Sequence, residues 1–162
     1  PMGHDKGEGL YRRSVYTFWK RTGPAPVMMA LDASKRDVCR AKRETTATPL
    51  QALVLMNGPQ FVEAARKIGE SMVREHGNNI DSIIQDMFRK LTSREPSERE
   101  IVLMKNLHKE QLANFKNDAK ATDAFLGVGA SPSAKDLDKS RVAAAGILAK
   151  ALMNFDEAVV KR

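Results

Sequence analysis

The chain has 162 residues and a net charge of +7, with 42% hydrophobic and 29% charged side chains. That length suits one domain with its own core, and the composition is that of an ordinary globular protein, neither disordered nor fibrous. No apolar run approaches the ~20 residues that span a bilayer, no basic–apolar–small leader opens the chain, and a single cysteine excludes an internal disulfide, CxxC and CxxCH.

Taken in order, residues 1–9 sum to −1 and are expected to be a flexible N-terminal segment. Leu10 to Arg43 holds nine Lys/Arg against Asp32 and Asp37, a local +7, whereas the rest of the chain, seventeen basic against sixteen acidic, is nearly neutral. The first dense cluster is LYRRSVYTFWKRTGPAP, Leu10 to Pro26. On a helix starting near Leu10, Tyr11, Val15, Phe18 and Trp19 would share a core-facing stripe, with Arg12, Arg13, Tyr16 and Lys20 on the other sides. SVYTFW alternates weakly, but one strand has nothing to pair with. The second basic group, SKRDVCRAKR, places Lys35, Arg36, Arg40 and Arg43 at spacings that could share one helical face. Within it, Cys39 reads as a small buried hydrophobe. His4, His76 and His108 sit in contexts that look solvent-facing, and nothing marks a catalytic triad.

From Thr48 onward the signals are helical. Thr48 followed by Pro49 is a capping hydroxyl ahead of proline at the first helical position. PLQALVLMN is apolar nearly all round, which predicts a short buried helix, with Gln51 and Asn57 satisfying backbone groups at its ends. Gly58 stops it, and Pro59 opens a second helix with Phe61, Ala65, Ile68 and Met72 at three- and four-residue spacing, ended by Gly77. NIDSIIQDMFRKLT repeats the pattern with Ile80, Ile83, Ile84, Met87, Phe88 and Leu91. Ser97 and Glu100 form a capping box before a long helix carrying Ile101, Met104, Leu112 and Phe115. Asp118 to Lys135, with GVGASPS, has the composition of a loop. The last helix, about Asp136 to Phe155, is rich in small residues, with Ala144, Leu148, Leu152 and Phe155 on one face. Small side chains permit close backbone approach, which predicts a place in the middle of the bundle.

Reactive groups do not converge in the sequence. GVGAS lacks the GK[ST] of a phosphate loop, and there is no HExxH or histidine pair at ligand spacing. Asp156 and Glu157 are adjacent, so on a helix they diverge by about 100°, and pairing with lysines is expected. The eight methionines fall mostly at core spacing.

YRRSVYTFWKRTGPAP, LDASKRDVC, TPLQALVLMNGPQFVEAAR, FLGVGAS and ALMNFDEAV occur in this order from about Leu10 to the end. Together they resemble the C-terminal part of the PSD-type domain family of unknown function found in planctomycete cytochrome-type multidomain proteins. The TPLQALVLMN-x-PQFVEAAR block is the specific one. The resemblance implies an exported parent protein, periplasmic or extracellular, often with a c-type haem domain elsewhere, and a larger N-terminal part of the same polypeptide. It implies no activity. Against the family's usual pattern, Ala47 stands for asparagine, Gly58 for an acidic residue and Ser34 for proline.

The fold class expected is all-α: an irregular bundle of about five helices over residues 10–162, with an extended, basic, loop-rich N-terminal segment. The favoured function is a non-catalytic interaction or scaffold module, with no catalytic residue, no metal ligand and no cofactor in this chain. Its partner would be the N-terminal part of the same polypeptide or another protein, and an exposed apolar patch should flank the basic third. One alternative is a basic surface binding an acidic polymer, polysaccharide or nucleic acid. The other is an active site completed elsewhere, with Arg12, Arg13 and Arg43 positioning an anionic substrate. The anion- or partner-binding candidates are Arg12, Arg13, Lys20, Arg21, Arg36, Arg40, Lys42 and Arg43, with Tyr11, Tyr16 and Trp19 as aromatic contacts.

Overall fold

The protein is all-α: a computed structural model describes residues 7–19, 23, 25–34, 39, 41–42 and 46–159, and among them there is no strand. The chain divides into two compact units, Pro1–Val54 and Leu55–Arg162. Eight α-helices lie among the described residues: α1 Pro26–Ala30, α2 Pro49–Asn57, α3 Pro59–His76, α4 Ile80–Thr92, α5 Glu98–Asn117, α6 Ala119–Leu126, α7 Lys139–Leu152 and α8 Asp156–Val159.

In the first unit the expected helix from Leu10 does not form. Two 3-10 turns, Gly7–Tyr11 and Ser14–Tyr16, stand in its place. The backbone is extended at Arg13 (ψ 144°) and again at Thr17 (ψ 131°), so the four-residue stripe is never assembled. Val15, Tyr16, Thr17, Phe18 and Trp19 are β-branched or aromatic, a run with poor intrinsic helix preference. Tyr11, Val15 and Phe18 are therefore exposed, not core, and Trp19 is half-buried. Cys39 is exposed too, correcting the expectation of a buried hydrophobe. Lys35, Arg36, Arg40 and Arg43, read as one helical face, lie outside the described residues, as does His4.

The second unit is built around α7, which contacts α3, α4, α5 and α6. Its central position follows from its small side chains. Val142, Ala143, Ala144, Ala145, Gly146, Leu148, Ala149 and Leu152 are all buried. A Cβ added to Gly69 of α3 would lie 2.7 Å from the Gly146 backbone nitrogen and 3.0 Å from the Val142 carbonyl oxygen. The two helices meet backbone to backbone, a separation that any larger residue prevents. Ile83, Ile84, Met87 and Phe88 of α4 and Met104 of α5 complete the core, as their spacing predicts.

Beside the apolar stripe of α3 runs a buried polar one. Glu63, Arg66 and Glu70 are all buried, with Arg66 fully enclosed. Arg66 donates to Glu70 Oε1 at 2.8 Å and to the Ser131 carbonyl at 2.6 Å. Glu63 accepts from the Ala130 and Ser131 N–H groups at 2.7 and 3.1 Å. Glu70 accepts from the Ala134 N–H, and Lys67 bridges Glu70 and the Pro132 carbonyl. These bonds satisfy the backbone of the 130–134 segment from the side of α3, where no ladder could. Burial pushes the Glu70 carboxyl up, but hydrogen bonds from Lys67, the Ala134 N–H and Arg66 outweigh it and leave it below the usual carboxylate range. Gly129 (φ 98°) makes the close turn, with Glu63 where its side chain would be.

Helix ends follow their sequence signals. Ser97 and Glu100 form the expected capping box. Asn79 caps α4, and Asp138 caps α7. Part of the expected loop after Asp118 is helical, since Asp118 accepts from the Ala121 N–H at 2.8 Å and starts α6. Glu157 pairs with Arg94, not with a lysine. Arg94 also forks onto both oxygens of Glu100 and lies 5.3 Å over the Phe88 ring, which meets Phe155 edge-on. The Arg94 hydrogen bonds, followed by the Ser97 N–H, hold the Glu100 carboxyl down at about 2.

Replacing Gly69 by valine tests the backbone contact. In an open helix the change would be mildly favourable. Here overpacking should cost at least ~1–3 kcal/mol, read as a lowered urea midpoint with an unchanged slope.

Candidate interaction surface

Nucleation of α2 places the candidate surface. Thr48 Oγ1 accepts from the Gln51 N–H at 3.3 Å, and Gln51 Oε1 accepts from the Thr48 N–H at 3.0 Å. This reciprocal cap confirms the end-satisfying role expected of Gln51. The same side chain donates through Nε2 to Asp32 Oδ2 at 2.9 Å and to Thr46 Oγ1 at 3.0 Å. Asp32 also accepts from the Thr46 N–H at 2.7 Å. It sits just after α1 with φ 57°, a left-handed conformation that aspartate tolerates better than most residues. The turn after α1 is thus tied to the first turn of α2. The Thr46 N–H and hydroxyl lead in holding the Asp32 carboxyl below its ordinary value, with Gln51 adding to them.

So anchored, α2 turns apolar side chains outward. Only Gln51 and Leu55 of this helix are buried, whereas Leu50, Leu53 and Met56 remain 59%, 55% and 44% exposed. Three-residue steps keep these side chains within a sector of about 120°. The expectation that this all-round apolar helix is buried is therefore wrong. In and just after the 3-10 turns, Leu10, Tyr11, Val15, Tyr16 and Phe18 are exposed within nine positions of sequence, on either side of exposed Arg12 and Arg13. Scattered apolar residues are normal on a surface, but runs of this density are not.

Of the residues predicted to bind, Tyr11, Arg12, Arg13 and Tyr16 are exposed within six positions of sequence in and between the two turns, and Trp19 is half-buried. Lys42 is exposed on a separate bend. Lys20, Arg21, Arg36, Arg40 and Arg43 lie outside the described residues. In the second unit the carboxylates have partners of their own: Lys105 for Asp81, and His76 and Lys90 for Asp86. His76 and His108 are half-buried, contrary to their solvent-facing appearance in sequence. Burial alone pushes His108 below the usual imidazole value.

Residues 2–108 match the family described as PSD1, protein of unknown function (DUF1553). The chain belongs to this family. The match takes in the 3-10 turns and α1 to α4 and ends within α5; FLGVGAS and ALMNFDEAV, two of the blocks quoted for the resemblance, lie beyond it. No curated protein and no solved structure matches the chain. No helix among the described residues is long and apolar enough to cross a membrane.

Sequence reasoning did not find Asp32 and Thr46 as anchors of α2. They lie fourteen residues apart, with no periodic relation to link them. Changing Asp32 to alanine should speed amide exchange at Gln51 and Ala52 by tenfold or more, with the core helices α3 and α7 unaffected. Because the folded-state value of Asp32 is depressed, its contribution is present above the unfolded value of about 4 and is lost as pH falls through the lower folded value. Wild-type exchange at these two amides, corrected for intrinsic pH dependence, should therefore approach that of the variant in acid.

Proposed function

We propose that this chain is a non-catalytic interaction module that docks a protein partner on the apolar face of α2 and the aromatic–arginine turns before it. The carrying observation is the exposure of Leu50, Leu53 and Met56 on a helix whose composition calls for burial. Exposed apolar patches rimmed by charge are the ordinary mark of a protein interface, with aromatic residues and arginine over-represented at its centre. The surplus of nine Lys/Arg over two acids between Leu10 and Arg43 selects a partner segment that is apolar with acidic flanks. A parent protein of the kind the resemblance implies would supply such a segment from elsewhere in its own polypeptide, in an exported compartment.

A second reading, an acidic polymer, draws on one specific feature. Tyr11 and Tyr16 flank the exposed pair Arg12 and Arg13, a combination suited to stacking and to anionic groups.

The two separate cleanly. A photoreactive residue at position 53 should crosslink, in the native host, to one defined protein, whereas the same group at position 109 on the solvent side of α5 should not. Leu50→Asp should reduce the adduct at least tenfold without altering the circular dichroism of the purified chain. Equal labelling at 53 and 109 contradicts the docking face. If in addition the chain elutes from heparin at high salt and loses that affinity in Arg12→Ala/Arg13→Ala, the acidic-polymer reading replaces it.

A further inference from the structure

At the tip of the α3–α4 hairpin, far in sequence from the docking face, three potential metal ligands converge. Glu75 and His76 end α3, and Asp86 projects from the second turn of α4. One carboxylate or imidazole atom from each lies within 4.8 Å of the others. His76 Nε2 is 3.1 Å from Asp86 Oδ2. Donors bound to one tetrahedral ion at about 2.0–2.2 Å stand roughly 3.3–3.5 Å apart, so this pair is already near ligand spacing. Ser71 donates to Glu75 Oε1 at 2.5 Å, fixing one oxygen of that carboxylate and leaving Oε2 to face the cluster.

The cluster already holds a cation. The Lys90 ammonium lies 3.0 Å from Asp86 Oδ2 and 3.1 Å from Glu75 Oε2, between the two carboxylates. Counting Glu75, Asp86 and Lys90 with a neutral imidazole, the group carries a formal −1. It also sits at the C-terminal end of α3, where unsatisfied carbonyls favour positive charge. Lys90 is about half exposed on a flexible stem, so its ammonium can leave for solvent while still protonated. What remains is two carboxylates and an imidazole on two helices, with room for water as the fourth ligand.

We propose that this hairpin tip is a divalent-cation site of the zinc class, which Lys90 occupies when metal is absent. The donor set decides the class. One imidazole with two carboxylates suits Zn²⁺ or its late first-row neighbours, whereas Mg²⁺ asks for an all-oxygen octahedron and keeps its waters. Lys90 and the metal then compete for the same two oxygens, so removing the lysine charge strengthens metal binding. Sequence spacing could not reveal the site, because two ligands are adjacent and the third arrives ten residues later, across the Gly77 turn.

The test uses the full chain, stripped with EDTA, exchanged into chelator-free buffer and titrated with ZnCl₂ against a chromophoric chelator. The wild type should bind about one equivalent. Lys90→Gln should bind at least threefold more tightly, His76→Gln at least tenfold more weakly, and His108→Gln like the wild type. A millimolar MgCl₂ background should change zinc affinity less than twofold. Circular dichroism without metal checks that each variant is folded, and Lys90→Gln, an exposed change, with His76→Gln, a half-buried one, carry the result if others are unstable. Absence of binding in both the wild type and Lys90→Gln overturns the proposal, as does binding that survives His76→Gln unchanged.

Discussion

The second unit depends on a backbone-to-backbone approach between α3 and α7. It is made at Gly69, where an added Cβ would lie 2.7 Å from the Gly146 backbone nitrogen; one added at Gly146 would instead lie 2.9 Å from the Phe125 ring. Once these helices are set, the remaining contacts follow. α7 presents its small-residue surface to α4, α5 and α6, and the large side chains Ile84, Met87 and Phe88 fill the space beside it. Arg66, whose Cα lies 3.5 Å from where a Cβ at Gly146 would sit, is completely enclosed. A charge so buried must be matched, and Glu70 with the carbonyl of Ser131 matches it. The buried stripe of α3 also fastens the 130–134 segment.

This coupling also explains what could and could not be seen in the sequence. Apolar spacing gave α3, α4, α5 and α7 directly, because their core faces repeat at three and four residues and their ends carry Pro59, Asn79, Ser97 and Asp138. Glu63, Arg66 and Glu70 follow the same period, but charged residues at that spacing read as a solvated face. In three dimensions they are buried and bond to the 130–134 segment. The helix α6 was hidden by the glycine, serine and proline that follow it, although Asp118 supplies a clear start. In the first unit the failure was of another kind. Helix periodicity can be drawn through Tyr11, Val15, Phe18 and Trp19, yet the extended backbone at Arg13 and Thr17 breaks it. PLQALVLMN was read correctly as a helix and wrongly as buried, since uniform apolarity does not say what covers a helix.

That last discrepancy has functional weight. In the second unit charged side chains pair with one another: Arg94 joins Glu100, Glu157 and the Phe88 ring, and Lys139 joins Asp123. The first unit bonds its polar groups at Asp32, Thr46 and Gln51, yet leaves leucine, valine and aromatic side chains exposed. The PSD1 family to which the chain belongs is one of unknown function.

Native-state hydrogen exchange resolved by residue tests the central constraint most directly. Amides of Gly69 to Val73 and of Ala143 to Ala149 should be the slowest in the chain and share one opening free energy, because neither helix can leave the other without global unfolding. Independent opening of α7, with α3 still protected, would contradict the account.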